Sequence, residues 1–478
     1  MVAQSTADKY LELFTENVQV QKALLACSAA LRLDDEIAQQ AIEIVAQSNG
    51  STNKLLQMVK NLGCVWQQWD GSWFIAEEIR RGLQQRLYEF IEDQGVLTEL
   101  RESLARYADQ RAVRLPRDGY FTVYQSRQAK FEAAIQRLLS PELSKAGAAQ
   151  LVEMYEPLSE PAKRATENAV EYLASDLEKH MEELPAEVLF FRGMAARAKK
   201  DRRSREDQIY YFTKIRDIGG FGYVFGVALH FLGLLLRDPA QAEQVMRESI
   251  RAYETPQHKA QVLLSIGDLL SDQDKDRWPD AEKAYKDSYA LRTDPQDCAR
   301  VLHSLGHLYA KNETRWDEAE KAYKDSFELR RDPADKAQVL HSIGKLLSHD
   351  KNKARWPEAK NFFKRSYKLD PNVAGKVKVL TSWADLLLKS GDRKDWSEAE
   401  RFARECLKLD EDNSKTKGMC NRILARVYEK RGDLTKAIES LEIAEETCHQ
   451  LNNKRLAQNI RVQINRLRKR LRDGSQLS

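Results

Sequence analysis

Hydrophobic positions in the second half of the chain fall at helical spacing, and the whole pattern then recurs as a block. The segments "RWPDAEKAYKDSYALRTDP" from Arg277, "RWDEAEKAYKDSFELRRDP" from Arg315, "RWPEAKNFFKRSYKLDP" from Arg355 and "DWSEAERFARECLKLD" from Asp395 align on tryptophans 278, 316, 356 and 396, spaced 38, 40 and 40 residues apart. Each tryptophan is followed by alanine at +3, an aromatic near +7 and a small residue at +10. Offsets of three, four and seven put these side chains on one crowded helix face. Between these blocks lies a second repeated helix, "VLLSIGDLL", "VLHSLGHLY", "VLHSIGKLL", "VLTSWADLL" and "RILARVYEK", with Gly267, Gly306, Gly344, Ala384 and Ala425 in register. A small residue there lets the neighbouring helix approach closely. The pattern predicts an all-α helical-hairpin solenoid.

The most apolar stretch, "IGGFGYVFGVALHFLGLLLRD" from Ile218, is long enough to be read as a membrane span. Extending the repeat register backwards changes that reading. Gly233 lies 34 residues before Gly267, Leu229 aligns with Leu263 and Leu236 with Leu270. "AQAEQVMRESIRAY" then supplies a partner helix. A helix covered on all sides is apolar on all sides, so the stretch is expected to be an array helix, with Gly219, Gly220 and Gly222 forming a turn before it. No membrane span is expected. A weaker unit precedes it, "FFRGMAARAKK" with "REDQIYYFTKI".

The first hundred residues read differently. "VQKALLACSAALRL", "DDEIAQQAIEIVAQ" and "TNKLLQMVKNLG" have the period of three short helices. Asp70-Gly71, between two aromatic alternating runs, is a hairpin signal. Three helices and a two-stranded wing predict a small winged helix-turn-helix. A longer helix is expected over "IRRGLQQRLYEFIEDQ". The expected organisation is a winged-helix-like domain over 1–115, a helical connector over 116–185, a repeat array over 186–450 and a basic helix and tail over 451–478.

Leu305-Gly306 with Tyr309, then Ala319, Tyr323, Ser326 and Pro333, resemble the signature of tetratricopeptide repeats (TPR). The units run 38–41 residues, longer than the family's 34, with the surplus in the turn between helices, as in "SDQDKDRW". The resemblance is strong from about 226 to 450 and implies a non-catalytic scaffold whose groove binds another polypeptide. "GCVWQQWDGSWFIAEEIRRGLQQRL" with "LTELRESLARYADQRAV" is similar to the winged helix of STAND-type signalling ATPases. That resemblance implies a sensor or adaptor in a signalling or defence pathway. The chain lacks the ATPase module: it has no GxxxxGK[ST], and Gly344-Lys345 and Gly375-Lys376 are followed by leucine and valine.

Charge narrows the partner. The formal net charge is +4, but residues 451–478 alone hold eight basic residues and one acidic, leaving −3 for the rest. In the TPR register the first helix of each unit faces the groove at four positions. Those positions hold Arg300, His303, His307, His341, Lys345, Lys378, Arg422 and Arg426, a stripe expected to draw an acidic peptide or protein. Histidines titrating near pH 6.5 would make that attraction pH-dependent. The alternative is an ordinary solvated face. A second function class is a winged-helix transcriptional regulator, with Lys54 and Lys60 as nucleic-acid contacts; the acidic surroundings, Asp34 to Glu36 and Glu77-Glu78, oppose it.

Catalytic motifs are missing. The sequence has no HExxH, no GxSxG, no GxGxxG after a strand and no metal-ligand spacing of cysteines; His303 and His307, four apart, are too common a pair to imply a metal. No enzyme activity, cofactor or metal is expected. Six cysteines without CxxC spacing, and no apolar leader, fit reduced thiols in a cytoplasmic protein. The last helix is expected to turn Val462, Leu467 and Leu471 inward and Arg466, Arg468, Lys469, Arg470 and Arg472 outward. The tryptophans are expected to wedge between helices.

Overall fold

The computed structural model describes residues 203–475 throughout. Before that it describes 17–30, 33–47, 51–67, 72–76, 94–114, 120–140, 144–155 and 184–199, with isolated positions between. Among the described residues there are twenty-one α-helices and one two-stranded sheet. The chain divides into two compact units, Met1–Glu254 and Thr255–Ser478.

In the first unit, α1 (Val18–Ser28), α2 (Asp35–Ala46) and α3 (Thr52–Lys60) are followed by β1 (Val65–Gln67) and β2 (Trp73–Ile75). The strands are antiparallel, with Trp66 opposite Phe74; Asp70-Gly71 between them, and half of the helix expected over 79–94, lie outside the described residues. Asp34 caps α2 by accepting from the Ile37 N–H at 3.0 Å. Trp73 is fully buried among Val20, Leu24, Ile37, Ile42 and Leu56. Its backbone exchanges two hydrogen bonds with Leu33, at 2.9 and 2.8 Å, and its indole N–H reaches Asp35 at 3.1 Å.

Helices α4 (Gln94–Arg114), α5 (Tyr120–Leu138) and α6 (Ser144–Tyr155) follow. Arg101 on α4 is fully buried, and its guanidinium donates to the Ala29 carbonyl at 3.0 Å and to Gln136 on α5 at 2.8 Å. Two helical pairs complete the unit, α7 (Ala186–Lys199) with α8 (Ser204–Ile218), and α9 (Tyr223–Leu235) with α10 (Pro239–Ala252). The apolar stretch is α9, only thirteen residues long. Gly219 (φ 70°) and Gly222 (φ 96°) form the turn before it, in a backbone region that side chains disfavour. A Cβ on Gly226 would come within 2.5 Å of the Tyr253 ring. Among the described residues no helix is long and apolar enough to cross a membrane.

The second unit is a run of hairpins: α11 (Pro256–Ser271) with α12 (Trp278–Ala290), α13 (Pro295–Ala310) with α14 (Trp316–Leu329), α15 (Pro333–Leu347) with α16 (Trp356–Leu369), α17 (Val373–Ser390) with α18 (Arg393–Leu409), and α19 (Ser414–Arg431) with α20 (Leu434–Gln450). α21 (Lys454–Ser475) packs on α20. First helices start alike: Asp294 and Asp332 cap the N–H groups that follow, with proline at the first helical position. The repeat's surplus residues form short 3₁₀ turns at Lys275–Arg277, Glu313–Arg315 and Asp350–Arg355, just before each tryptophan.

The repeated positions now have physical roles. Ala281, Ala319, Ala359 and Ala399, at +3, are completely buried between the two helices. The +7 aromatic lies on the small residue of the first helix: a Cβ on Gly306 would come within 2.6 Å of Tyr323, and one on Gly344 within 2.7 Å of Phe363. The +10 residue ties the hairpin. Ser288, Ser326 and Ser366 donate to the Ala260, Ala299 and Ala337 carbonyls at 2.6, 2.7 and 2.7 Å. Ser249 does the same to Gly226 in the first unit at 2.7 Å, which makes α9 and α10 a hairpin of the same kind.

The register of α21 corrects the expected inward face. Ala457, Ile460, Ile464 and Leu467 are buried against Ile438 and Leu441. Of the three residues expected inward, Leu467 is buried, Leu471, on the same face near the end of the helix, is 38% exposed, and Val462 is 60% exposed. Val462 lies two residues from Ile460 and Ile464, on the far side of a helix turning 3.6 residues per turn. All six cysteines are free, and all but Cys298 are buried.

Candidate functional site: the groove between first helices

In the second unit successive first helices touch one another directly, α13 with α15, α15 with α17 and α17 with α19. That closeness decides what the groove residues do. His303 on α13 is only 7% exposed, and its Nε2 lies 2.9 Å from Ser342 Oγ on α15. His341 on α15 is 4% exposed, with Nε2 2.8 Å from Ser382 Oγ on α17. From the sequence both rings are expected to face solvent and to titrate near pH 6.5. They instead fill the seam between consecutive units. Burial, helped by nearby cations such as Lys378, lowers each to about 3. Both imidazoles are therefore neutral at physiological pH.

His307 differs. It keeps an exposed edge, but its ring is crowded between those of His303 and Tyr323, at centroid distances of 4.5 and 5.4 Å. Loss of solvent around the ring, then Lys345, Lys378 and Lys311, lowers it to about 4. Its Nδ1 lies 2.9 Å from Tyr323 Oη. Among the described residues there is no cluster of three or more His, Cys, Asp or Glu that could hold a metal ion.

The cations of the stripe divide into two groups. Arg300 pairs with Asp297 on its own helix, and Arg426 on α19 pairs with Asp385 on α17. Lys345 on α15, Lys378 on α17 and Arg422 on α19 are exposed, and among the described residues they have no ion-pair partner. The carboxylates that share a pocket with Lys378 are already occupied: Asp335 accepts from Arg330 at 2.9 Å and Asp370 from the Asn372 N–H at 2.9 Å. A pocket of about 500 Å³ opens between α15 and α17, lined by Gln338, His341, Asp370 and Lys378 among others. A smaller one of about 180 Å³ lies where α13, α14 and α15 meet.

The residues considered for nucleic acid sit in the first unit. Lys60 Nζ is held by both oxygens of Asp35, at 2.8 and 3.0 Å, which ties the end of α3 to the start of α2. Lys54 is exposed. The sequence reading missed Ser342 and Ser382 as partners of the histidines. Their signal was present: His303-Ser304, His341-Ser342 and Thr381-Ser382 recur in register, so Ser342 and Ser382 each meet the histidine of the preceding unit, while Ser304, which has Leu264 there instead, bonds Asp268.

With this geometry in view, the family model described as "Tetratricopeptide repeat" matches residues 301–337, the α13–α14 hairpin and its exit turn. The chain carries a tetratricopeptide repeat. No curated protein sequence matches it. Among solved structures, it is similar to that of Pseudomonas aeruginosa PilF, at 19% identity over 50% of this chain and 97% of the other, with a TM-score of 0.33. It is also similar to a Rap protein complexed with competence and sporulation factor (14% identity, 73% and 99% covered, TM-score 0.38) and to yeast Tom70 (13%, 83% and 95%, TM-score 0.31). All three scores are low, so the repeat fold rests on the chain's own helices and on the match at 301–337.

Proposed function

We propose that the second unit is a non-catalytic scaffold that binds an extended acidic segment of another protein along the groove between its first helices. One observation carries the reading: Lys345, Lys378 and Arg422 stand on three successive first helices, exposed and unpartnered, while neighbouring charges are paired and neighbouring histidines neutral. Charge-assisted hydrogen bonds to such cations are stronger than neutral ones, and repeat grooves suit extended ligands. The imidazoles act as spacers in the wall, so affinity is set by lysine and arginine.

In this reading the three helices and hairpin at the N-terminus form a winged helix used for packing, in an adaptor or sensor. Trp73, buried and hydrogen-bonded to Asp35, is the anchor of that small domain.

The test is fluorescence anisotropy with a labelled ten-residue peptide of alternating glutamate and serine. The wild-type chain should bind it in a salt-dependent way. A Lys345→Glu, Lys378→Glu, Arg422→Glu variant, altered only at exposed positions, should lose that binding with an unchanged thermal midpoint. Equal binding by the two proteins would sink the proposal.

A further inference from the structure

We propose that the 180 Å³ pocket at the meeting of α13, α14 and α15 is a subsite for one aromatic side chain of the bound segment. The inference rests on the acidic-segment reading above and adds the second element of specificity. Ala310, Trp316, Leu346 and His349 form an apolar and aromatic wall. The Trp316 and His349 rings lie 4.8 Å apart, tilted, and the Trp316 indole N–H is spent on the Ala310 carbonyl at 3.3 Å. The wall therefore presents ring faces and edges, with the His349 imidazole as its polar member.

His307 and Tyr323 supply the polar side. Tyr323 Oη lies 2.9 Å from His307 Nδ1, which leaves the ring's Nε2, with no partner among the described residues, as the imidazole's available polar atom. Lys345, also in the lining, brings one of the three unpaired cations to the same opening.

Size selects the occupant. An apolar cavity of about 150 Å³ accommodates a benzene ring, whereas drug-sized ligands need roughly 300 Å³ or more. A single phenyl or phenol group fits, and a free metabolite of cofactor size does not. Aromatic rings also prefer the offset and edge-on contacts that Trp316 and His349 offer. Position along α15 sets the spacing. Leu346 lines this pocket and Gln338 the larger one beside Lys378. Eight helical residues separate them, about 12 Å, which an extended chain covers in roughly four residues. The groove therefore reads an aromatic residue with acidic residues two to four positions away.

The probe is acetyl-Glu-Glu-Glu-Ser-Phe-Ser-Glu-Glu-Glu-amide, with one companion carrying alanine for phenylalanine and another carrying glutamine for every glutamate. Affinities are measured by competition anisotropy. Contact at the pocket is read from the 19F signal of Trp316 in protein labelled with 5-fluorotryptophan, assigned with Trp316→Phe. The phenylalanine peptide should bind roughly tenfold more tightly than the alanine peptide and should alone move the Trp316 signal. Ala310→Leu, which fills the pocket, should abolish that difference; Lys345→Gln, at an exposed position, should weaken both acidic peptides together. If Ala310→Leu does not fold, the wild-type comparison and the 19F signal still decide. Equal affinity of the phenylalanine and alanine peptides overturns the subsite and leaves the acidic groove standing. If the glutamine peptide binds as well as its acidic parent and moves Trp316, the subsite survives and the acidic reading falls. No binding by any of the three overturns both.

Discussion

At the residue scale, glycine inside each hairpin and histidine between units each make a measurable prediction. The first is glycine under an aromatic ring. Gly306 lets Tyr323 lie directly on the α13 backbone, and a Cβ would intrude to 2.6 Å of a rigid ring. Gly306→Ala gains up to about 1 kcal/mol of helix propensity but forces an overpacking that costs about 1–3 kcal/mol. The net expectation is a loss of about 1 kcal/mol, read as a lower urea midpoint with an unchanged slope. The second is histidine as a neutral seam residue. His303 and His341 have folded-state values near 3 against an unfolded value near 6.5. Between those limits the unfolded chain binds more protons than the folded one, so stability is full above about pH 6.5 and falls as pH drops towards 3. Each histidine contributes about 1.4 kcal/mol per pH unit in that window. Urea midpoints at pH 7 and pH 5 should differ clearly in wild type, and the difference should shrink in His303→Gln, His341→Gln, whose amides keep a hydrogen-bonding group at the seam. An unchanged difference would show that other groups govern acid sensitivity.

At the element scale, the order and pairing of the repeat helices were legible in the sequence because the pattern there is written in volume. Buried alanines, ring-bearing +7 positions and small residues on the facing helix leave one way to pair, and Ala319, Tyr323 and Gly306 show it. The seam between units was not legible in the same way. Register placed His303 and His341 on the groove face, but whether that face is open there depends on how closely α13, α15 and α17 approach, which no single helix records. The ion pairs between units add a constraint of the same long-range kind. Arg315 reaches Glu282 at 2.6 Å and Arg355 reaches Glu320 at 2.5 Å. In the next pair the signs reverse, with Lys360 meeting Asp395 at 2.9 Å, and then return as Arg431 meets Glu400 at 2.5 Å. Slipping the stack by one unit would set Arg355-type cations against Lys360, so the reversal favours one order of repeats. Lys360→Glu should cost about 1 kcal/mol by placing a carboxylate against Asp395, and adding Asp395→Lys should restore most of it. A double-mutant cycle by urea unfolding measures the recovery; partly exposed pairs contribute at most about 1 kcal/mol each, and additive losses would remove the pairing from the account.

At the scale of the whole molecule, the basic tail shows how formal charge and available charge differ. Residues 451–478 carry a net +7 by sequence. Yet Arg461 reaches Glu445 at 2.7 Å, Arg466 and Arg470 reach Glu429 at 2.7 and 2.8 Å, and Arg468 reaches Glu442 at 2.6 Å. Much of that charge is spent on the two preceding helices, while Ile460, Ile464 and Leu467 cover the apolar side of α20. Two effects then hold α21 in place, and they separate under salt. The arginines are about half exposed or more, so their pairs weaken as ionic strength rises; apolar burial does not. Replacing Arg461, Arg466, Arg468 and Arg470 with glutamine should lower stability by roughly 2 kcal/mol or less at low salt, with the difference from wild type fading by 1 M sodium chloride. Ending the chain at Asn453 should do more at every salt concentration, because Ile438 and Leu441 lose their cover and become an exposed apolar patch of the kind that drives self-association. Chemical denaturation across a salt series, with light scattering on the truncated chain, separates the two. A salt-independent loss in the arginine variant would mean that the stems of those side chains pack rather than pair, and α21 would then be held by burial alone.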